Sequence, residues 1–318
     1  MVARQAERAE RASRNQGPLH VRFGPVALSR HSPAGVIRSF AHADFPLELL
    51  LERKNGSVTV VIPAREAADT IGPIVERIVG LGGLVDQLLV VDAGSADGTA
   101  EIAAREGAEV AQEDELAPRF GPVLGKGDAM WRALAAIRGD LVVYVDADTH
   151  GFPSHFVTGL LGPLLCERGT RFVKGAYSRP FTAGGIELPE GGGRVSRLTA
   201  RPLLAAFYPD LGAISQPLAG EIATTRAVLD QIPFATGYAV EIAMLLDVRG
   251  LVGAGAMVQA QIGERRNAHQ PLAALEPMAD TVLGVVCERL RREGRLTAKT
   301  ASTATVERPP WASLGAPA

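Results

Sequence analysis

The chain has 318 residues, 47% of them hydrophobic, and a formal net charge of −2 at pH 7. This length is enough for one large domain with a sizeable core, and the near-neutral charge disfavours nucleic-acid binding through bulk electrostatics. No apolar run reaches the ~18 residues of a membrane span, and the first residues lack the apolar stretch of a secretory signal. We therefore expect a cytoplasmic protein without a nucleic-acid or membrane partner.

The regular part of the chain is predicted to begin near residue 57. Residues 1–38 show no sustained apolar periodicity and are predicted to form a flexible N-terminal arm, and an apolar cluster within residues 40–52 is expected to pack onto the first helix that follows. Beyond it, strands and helices alternate. Strands are predicted at 58–62, 87–91, 109–111 and 141–145, and helices at 67–81, 99–106 and 128–137. Pro63 is expected to end the first of these strands. This alternation is typical of an α/β fold with a mostly parallel sheet and helices on both faces.

The alternation is less regular after residue 150. Helices are predicted at 155–165, 196–207, 224–231, 238–248 and 272–292, and strands at 171–176 and 256–262, with irregular segments at 211–221 and 264–270. We interpret this half as an elaboration built onto the same sheet. The tail, residues 296–318, is rich in Thr, Ala and Pro and is predicted to be disordered. The two cysteines, Cys166 and Cys287, lie in apolar helical patterns and are expected to be buried thiols.

Two carboxylates follow the strand predicted at residues 141–145. Because side chains two apart on a strand point the same way, Asp146 and Asp148 can meet one cation just beyond its carboxyl end. Ligands of open α/β sheets bind at that edge. Oxygen-only ligation suits Mg²⁺ or Mn²⁺, and Mg²⁺ commonly binds together with substrate phosphates. The alternative is that these residues only shape a turn or cap a helix.

Four further positions are candidates for a functional site, each with a simpler alternative. Lys126, flanked by glycines at a predicted helix start, can meet a phosphate or is a solvated surface lysine. Ser95, in the loop after the second strand, shapes a nucleotide pocket or belongs to a plain turn. Arg194 follows three glycines and anchors an anion or lies in a mobile loop. Glu241 interrupts an apolar helical pattern and is either an inward functional group or an exposed corner.

Several motifs resemble those of GT-A nucleotide-sugar-dependent glycosyltransferases. Segments 60–64 (Val-Val-Ile-Pro-Ala), 92–99 and 146–148 occur in the order and spacing of that class. Within that class, the chain most resembles the retaining family of glucosyl-3-phosphoglycerate and mannosyl-3-phosphoglycerate synthases. The segments that resemble this family are 125–131, 191–194, 200–204, 216–218 and 237–242. It covers roughly residues 45–292. It implies a Rossmann-like GT-A fold, with residues 39–150 as the nucleotide-sugar-binding half and 151–295 as the acceptor-binding half.

The resemblance also implies an activity and a set of site residues. The expected enzyme is a homodimer that transfers a hexosyl group from a nucleotide sugar to 3-phosphoglycerate with Mg²⁺ or Mn²⁺. Its catalytic residues would be Asp146, Asp148, Lys126 and Glu241. Donor-binding residues would be Pro63, Ala64, Arg65, Ser95, Lys126, Asp146, Ala147, Leu218, Ala219, Tyr238 and Glu241. Acceptor-binding residues would be Gly193, Arg194 and Ser196.

Two positions depart from the family pattern. Ala67 stands where the family often has an acidic residue near the nucleobase, which slightly favours GDP-mannose as donor over GDP- or UDP-glucose. Use of both a mannosyl and a glucosyl donor stays an alternative. The metal-binding histidine of the family corresponds to Asn267, and a histidine reappears at His269. The metal ligands are therefore expected from Asp148 and Asp146 together with Asn267 or His269, or with diphosphate and water.

Two alternative functions stay open at this point. The acceptor can be a polyol or a lipid phosphate, although no membrane-facing apolar helix is predicted. Alternatively, the protein binds nucleotide sugars without catalysis, and Ala67 and Asn267 then reflect lost function. The intact pair Asp146 and Asp148, together with Lys126, favours an enzyme. Since no nucleophile is evident, we expect displacement on the front face of the sugar, with the leaving phosphate oxygen accepting the acceptor's proton.

Overall fold

The computed structural model describes residues 37–183, 186–188, 191–266, 270–297 and 305–315. The strands within these ranges are β1 (Arg38–Ala41), β2 (Val58–Ala64), β3 (Gln87–Asp92), β4 (Glu109–Gln112), β5 (Leu141–Tyr144), β6 (Phe172–Ser178), β7 (Phe181–Ala183), β8 (Ile186–Leu188), β9 (Ile222–Thr225), β10 (Phe234–Ala235), β11 (Met257–Glu264) and β12 (Glu307–Arg308). The α-helices are α1 (Leu47–Arg53), α2 (Ala68–Val79), α3 (Thr99–Arg105), α4 (Lys126–Ala133), α5 (His155–Cys166), α6 (Arg201–Phe207), α7 (Arg226–Leu229), α8 (Val240–Val252) and α9 (Leu272–Arg292). Across these ranges, no helix is both long and apolar enough to cross a bilayer.

The central sheet has eight strands in the order β1-β11-β6-β9-β5-β2-β3-β4. Neighbouring strands run parallel, except that β9 is antiparallel to both β5 and β6. The predicted α/β architecture with a mostly parallel sheet is confirmed. The chain runs outward through β2, β3 and β4 and then returns to the other side of β2 as β5. The carboxyl ends of β2 and β5 therefore flank the point at which the strand order reverses, where open α/β sheets bind their ligands.

Helices cover both faces of this sheet, and the sheet separates the hydrophobic core into two layers. One layer contains Trp131, Tyr144 and Phe172, and the other contains Ile62 and Phe156. The four residues of β5 are all buried, because each of their side chains enters one of the two layers. Strands buried on both faces have continuous apolar runs, which is why the sequence predicted this strand so clearly.

The N-terminal segment differs from the prediction in two respects. Arg38, assigned to the flexible arm, begins the edge strand β1, which pairs with β11; residues 1–36 of that arm lie outside the described residues. The apolar cluster packs mainly on α5 rather than on the first helix of the alternation. Phe45 lies so close to Gly162 of α5 that a Cβ there would come within 2.1 Å of its ring. A four-residue edge strand has too weak a pattern to be recognised from sequence.

The largest error of the sequence analysis concerns residues 222–229. An irregular segment was predicted at 211–221 and a helix at 224–231, but Ile222–Thr225 forms β9 inside the sheet and only Arg226–Leu229 is helical. A buried four-residue strand lacks the alternation of a half-buried one. A smaller error is that β2 continues through Pro63. Its pairing with β5 has already ended at Val61, so the missing N–H of the proline breaks no ladder on that side.

Part of the tail predicted to be disordered is ordered. Glu307–Arg308 forms β12, which pairs antiparallel with β10, and the rings of Trp311 and Trp131 lie 4.8 Å apart. Arg308 donates hydrogen bonds of 2.7 and 2.6 Å to the two carboxylate oxygens of Asp128 on α4. Asp128 is 180 residues away from Arg308 in sequence, so local composition carries no sign of this contact. Residues 298–304 and 316–318 lie outside the described residues.

Candidate active site

Asp146 and Asp148 lie just beyond β5, and their carboxylates converge on one cationic group. The Nη2 atom of Arg265 is 2.8 Å from Asp146 Oδ2 and 2.5 Å from Asp148 Oδ1. The side chain of Asp146 is largely buried, whereas that of Asp148 is 63% exposed. Gly220 packs directly against Asp146, since a Cβ at this glycine would lie 2.1 Å from Oδ1. The two carboxylates therefore share one site at the carboxyl edge of the sheet, as their spacing predicted.

Lys126 begins α4 and is bound by two carboxylates. Its Nζ atom donates to Asp146 Oδ1 at 2.5 Å and to Glu241 Oε1 at 2.7 Å. Burial alone would lower the pKa of Lys126, but the charges of these two carboxylates outweigh it and raise the pKa above its usual value. Gly127 allows the start of α4 to pack directly against the backbone of β10, because a Cβ there would lie 2.0 Å from the carbonyl oxygen of Ala235. The interpretation of Lys126 as a solvated surface lysine is wrong.

Glu241 lies in the first turn of α8 and points inward. Only 7% of the residue is exposed, and its Oε1 atom accepts the hydrogen bond from Lys126. Its Oε2 atom is buried and has no hydrogen-bond partner among the described residues. A buried carboxylate oxygen without a donor is unfavourable unless a ligand supplies one. Of the two interpretations left open for Glu241, the inward functional group is the one that fits this geometry.

Arg265 is a central residue of the site that the sequence analysis missed. It follows β11, and its guanidinium donates to Thr149 Oγ1 and to the Tyr177 hydroxyl, each at 3.1 Å, besides its contacts with Asp146 and Asp148. Arg265 belongs to residues 264–270, which were predicted as a polar loop. The available signal was an arginine three residues after the predicted strand 256–262, but that signal had no meaning until β11 was placed in the same sheet as β5.

Two further buried charges lie beneath the site and were also missed. Lys174 on β6 is 1% exposed, and its Nζ atom donates to the carbonyl oxygen of Ala219 at 2.6 Å. Burial lowers the pKa of Lys174 to about 8. Glu221 is fully buried 3.3 Å from Arg265, and burial raises the pKa of its carboxyl despite that cation. The charges of Glu241 and Glu221 act on Lys174, and Arg265 is the cation next to Glu221, so each buried charge has an opposite charge near it.

Two cavities meet at these charged residues. The first, of about 420 Å³, is lined by the predicted donor-binding residues Pro63, Arg65, Lys126, Asp146 and Ala147, and also by Ala67, Asp148 and His150. The second, of about 280 Å³, is lined by the predicted acceptor-binding residues Gly193, Arg194 and Ser196, together with Leu218, Tyr238 and Glu241. Lys126, Asp146 and Asp148 line both cavities. These three charged residues form the boundary between the two adjacent cavities, and we call them the charged junction.

Three predicted donor-binding residues do not line either cavity. Ala64 and Ala219 are buried, with exposures of 4% and 1%. Ser95 lies behind the first cavity, where its Oγ atom accepts a hydrogen bond of 2.9 Å from the backbone N–H of Glu66. Glu66 itself lines the cavity and has a left-handed backbone with φ of 48°. Ser95 therefore contributes to the shape of the cavity rim through Glu66.

Arg194 lies in a glycine-rich loop that is tied to its surroundings. Its guanidinium stacks over Phe181, 5.2 Å from the ring centroid, and donates to the carbonyl oxygen of Gln270. The preceding Gly193 has φ of 68°, which favours glycine. The interpretation of this segment as a mobile surface loop does not agree with these contacts.

Comparison with known proteins identifies the family. The family model for glycosyl transferase family 2 matches residues 59–165. The chain is 44% identical over 246 residues to the glucosyl-3-phosphoglycerate synthase of Mycolicibacterium paratuberculosis, a match that covers 76% of this chain and 75% of the relative. The chain belongs to the family of glucosyl-3-phosphoglycerate and mannosyl-3-phosphoglycerate synthases. The predicted resemblance is confirmed, and the protein is a glycosyltransferase.

Solved structures of this synthase family have the same fold. The crystal structure of mannosyl-3-phosphoglycerate synthase from Rubrobacter xylanophilus matches with a TM-score of 0.80 and 45% identity, over 87% of this chain and 96% of that one. The glucosyl-3-phosphoglycerate synthase of Mycobacterium tuberculosis, in complex with Mn²⁺, UDP-glucose and phosphoglyceric acid, matches with a TM-score of 0.78 and 36% identity, over 87% of this chain and 99% of that one. The predicted GT-A fold is confirmed.

The residues of this glycosyltransferase where the two cavities meet fit a hard divalent cation. Asp146 and Asp148 supply carboxylate oxygens that already converge on a single positive group, Arg265 Nη2. No cluster of three or more His, Cys, Asp or Glu side chains that could hold a metal occurs in the described part of the chain. The other two candidate ligands, Asn267 and His269, lie outside the described residues. Any choice between them stays a prediction.

Proposed function

We propose that this chain transfers a hexosyl group from a nucleoside diphosphate hexose to 3-phosphoglycerate, with retention of configuration at the anomeric carbon. The observation that carries the proposal is the junction of the two cavities at Lys126, Asp146 and Asp148. The first cavity is bordered by the end of β2 and the loop that follows it, and the second by the glycine-rich loop that contains Arg194. The mycobacterial relative was crystallised with UDP-glucose and phosphoglyceric acid together, which supports two adjacent sites in this family.

The first cavity is assigned to the donor. Pro63, Arg65 and Ala147 border the nucleotide, with Ala64 and Ser95 shaping the wall behind them. Lys126 faces the diphosphate, whose negative charge grows as the glycosidic bond breaks. Because two carboxylates fix the ammonium group before the substrate arrives, little reorganisation is needed in the transition state. On the sugar side, Leu218 and Tyr238 border the hexose, and Ala219 lies beneath them.

Asp146 and Asp148 are the residues that would hold Mg²⁺ or Mn²⁺. The relative's complex contains Mn²⁺ with a UDP-sugar, and the oxygen ligands here suit either ion. When bound, such a cation neutralises part of the diphosphate charge. The chain's own contribution is to orient both carboxylates and to keep that of Asp146 ionised. Burial would raise the pKa of Asp146, but the charges of Lys126 and Arg265 outweigh it and keep that pKa far below its usual value.

The second cavity is assigned to the acceptor. The guanidinium of Arg194 offers a planar set of donors that matches a phosphate or carboxylate group. The backbone at Gly193 and the side chain of Ser196 border the same space. Fixing the charged end of 3-phosphoglycerate there holds its C2 hydroxyl beside the anomeric carbon, which supplies the proximity contribution to catalysis.

The residues at the junction are consistent with a front-face displacement. The bond between the anomeric carbon and the diphosphate oxygen breaks, the bond to the acceptor C2 oxygen forms on the same face, and the leaving phosphate oxygen takes the hydroxyl proton. Glu241 is assigned to the hexose hydroxyls, because its Oε1 atom is held by Lys126 and its buried Oε2 atom needs a donor. Trapping a covalent glycosyl-enzyme on Glu241 would refute this mechanism.

The donor is inferred to be GDP-mannose in preference to UDP-glucose. Ala67 lines the first cavity in place of the acidic residue that relatives often carry near the base, and its smaller side chain leaves more room for a purine between Glu66 and Asp69, which line the same cavity. The names of the relatives do not decide this, since one is a glucosyl and another a mannosyl transferase.

The test is an assay of purified protein with Mg²⁺ and 3-phosphoglycerate, offered GDP-mannose, GDP-glucose and UDP-glucose in parallel. We expect a hexosyl-3-phosphoglycerate from at least one donor and the highest kcat/KM with GDP-mannose. Turnover that does not depend on 3-phosphoglycerate would contradict the acceptor, and a clear preference for UDP-glucose would contradict the donor inference. The homodimer and the cytoplasmic location also stay predictions, of which sedimentation velocity tests the first.

A further inference from the structure

A third cavity, of about 350 Å³, lies next to the acceptor cavity and has no assigned role. Arg179 lines both cavities. Gly192 lines the third cavity and the next residue, Gly193, lines the acceptor cavity, so the two spaces lie on either side of the same glycine-rich turn. The turn is held in place by a hydrogen bond of 2.9 Å from the backbone N–H of Gly192 to the carbonyl oxygen of Arg179.

The lining of this cavity is strongly basic. It contains the three arginines Arg179, Arg197 and Arg201, and none of the described residues that line it is acidic. The remaining side chains are neutral hydrogen-bonding groups, among them Ser178, Ser215, Gln216 and Gln261. This combination of guanidinium, hydroxyl and amide groups is suited to an oxyanion, which accepts hydrogen bonds from all three.

Two of these arginines also lie close together on one helical segment. Arg197 lies in a π-helical turn, Ser196–Ala200, that continues into α6, and Arg201 is the first residue of α6, four positions later. Like charges four residues apart on a helix repel each other, and π-helical turns occur often at functional sites. Arg179 and Arg197 also make contacts within the protein. What matters is that all three guanidinium groups line one cavity, where a bound anion relieves their repulsion.

We propose that the third cavity is a second anion site, which binds a small phosphorylated anion. Its volume suits a phosphate group or a small phosphate monoester, at the lower end of the usual range for ligand sites. The site is separate from the acceptor cavity but shares Arg179 and the turn with it. Gln216 reinforces this connection, since its Nε2 atom donates to the carbonyl oxygen of Tyr177 at 3.0 Å and its Oε1 atom lies beside Gly193.

The test counts phosphate sites on the full chain by equilibrium dialysis with labelled inorganic phosphate at low ionic strength. The key variant is Arg197→Gln/Arg201→Gln, with Arg201→Gln alone as the milder version. Both side chains are exposed, so the fold should survive, and the thermal unfolding midpoint checks this. Leu198→Gln is the matched control, because it changes a 76% exposed residue on the same turn without removing charge.

The wild type is expected to bind two phosphates, one in each cavity. The double variant should lose the third-cavity phosphate, with affinity reduced at least about tenfold for each guanidinium removed, while Leu198→Gln should bind like the wild type. Arg194→Gln should lose the other phosphate only. The proposal is overturned if the double variant binds as the wild type does, or if the only phosphate bound is the one lost in Arg194→Gln. A single site lost in the double variant would uphold the proposal and contradict the acceptor assignment, so the two failures are distinguishable.

Discussion

Replacing Lys126 with methionine removes the ammonium group that joins the two cavities. The variant leaves Asp146 paired with Arg265, but it deprives Glu241 of the partner to which it is bound at 2.7 Å. Breaking a buried ion pair typically costs about 3–5 kcal/mol, and because the Lys126 side chain is 33% exposed we expect a smaller loss of about 1–3 kcal/mol. On the activity side, removing one preorganised charge next to the leaving group should lower kcat about 10²–10³-fold.

The two effects can be separated with a second substitution. Glu241→Gln in the Lys126→Met background removes the unpaired carboxylate and should restore much of the stability, while the activity stays low. Urea unfolding measures the stability, and initial rates with saturating donor and acceptor measure kcat. Lys54→Met is the control, since it removes another lysine from an ion pair, with Asp86 at 2.7 Å, and neither residue lines either cavity. A Lys126→Met variant that keeps kcat within threefold of the wild type would refute the proposed role.

Three further predictions concern neighbouring residues. Asp148→Asn should abolish metal-dependent turnover with little change in the unfolding midpoint, because this side chain is 63% exposed; a large loss of stability would argue for a structural role. Arg194→Gln should raise the KM for 3-phosphoglycerate far more than that for the donor, and equal effects on both would move Arg194 out of the acceptor site. Lys174 has a folded-state pKa of about 8, below its ordinary value of 10.5, so the folded protein loses this proton at a lower pH than the unfolded chain does. The free energy of unfolding of the wild type should therefore rise, relative to that of Lys174→Met, as the pH increases from about 8 to 10.5. Urea unfolding at pH 7.5 and 10 measures the change, and a constant difference between the two proteins would contradict it.

The parts of the fold that were predictable are those in which local pattern and burial agree. Strands such as Leu141–Tyr144 are buried on both faces and therefore appear as continuous apolar runs. The pair Asp146 and Asp148 was recognisable because carboxylates follow such a run with a spacing of two. The long helix Leu272–Arg292 was predicted with its observed bounds, since many turns of one periodic pattern leave little ambiguity.

The parts that were missed depend on contacts between distant segments. β9 enters the sheet antiparallel between β5 and β6, and nothing in its four residues indicates which strands it joins. Arg265 becomes a site residue only because β11 ends near the carboxyl edge of β5. The ordered tail is held by Trp131 and Asp128, whose positions follow from the fold and not from the local sequence.

The central claim is that a metal-bound diphosphate lies at the junction of the two cavities. Anomalous diffraction at the manganese edge, on crystals grown with Mn²⁺, a nucleoside diphosphate and 3-phosphoglycerate, tests this directly. We predict a manganese peak within ligand distance, about 2.0–2.6 Å, of a carboxylate oxygen of Asp148 or Asp146, with the diphosphate beside Lys126 and the acceptor phosphate or carboxylate at Arg194. A manganese peak away from both aspartates, or a diphosphate bound without contact to Lys126, would contradict the account.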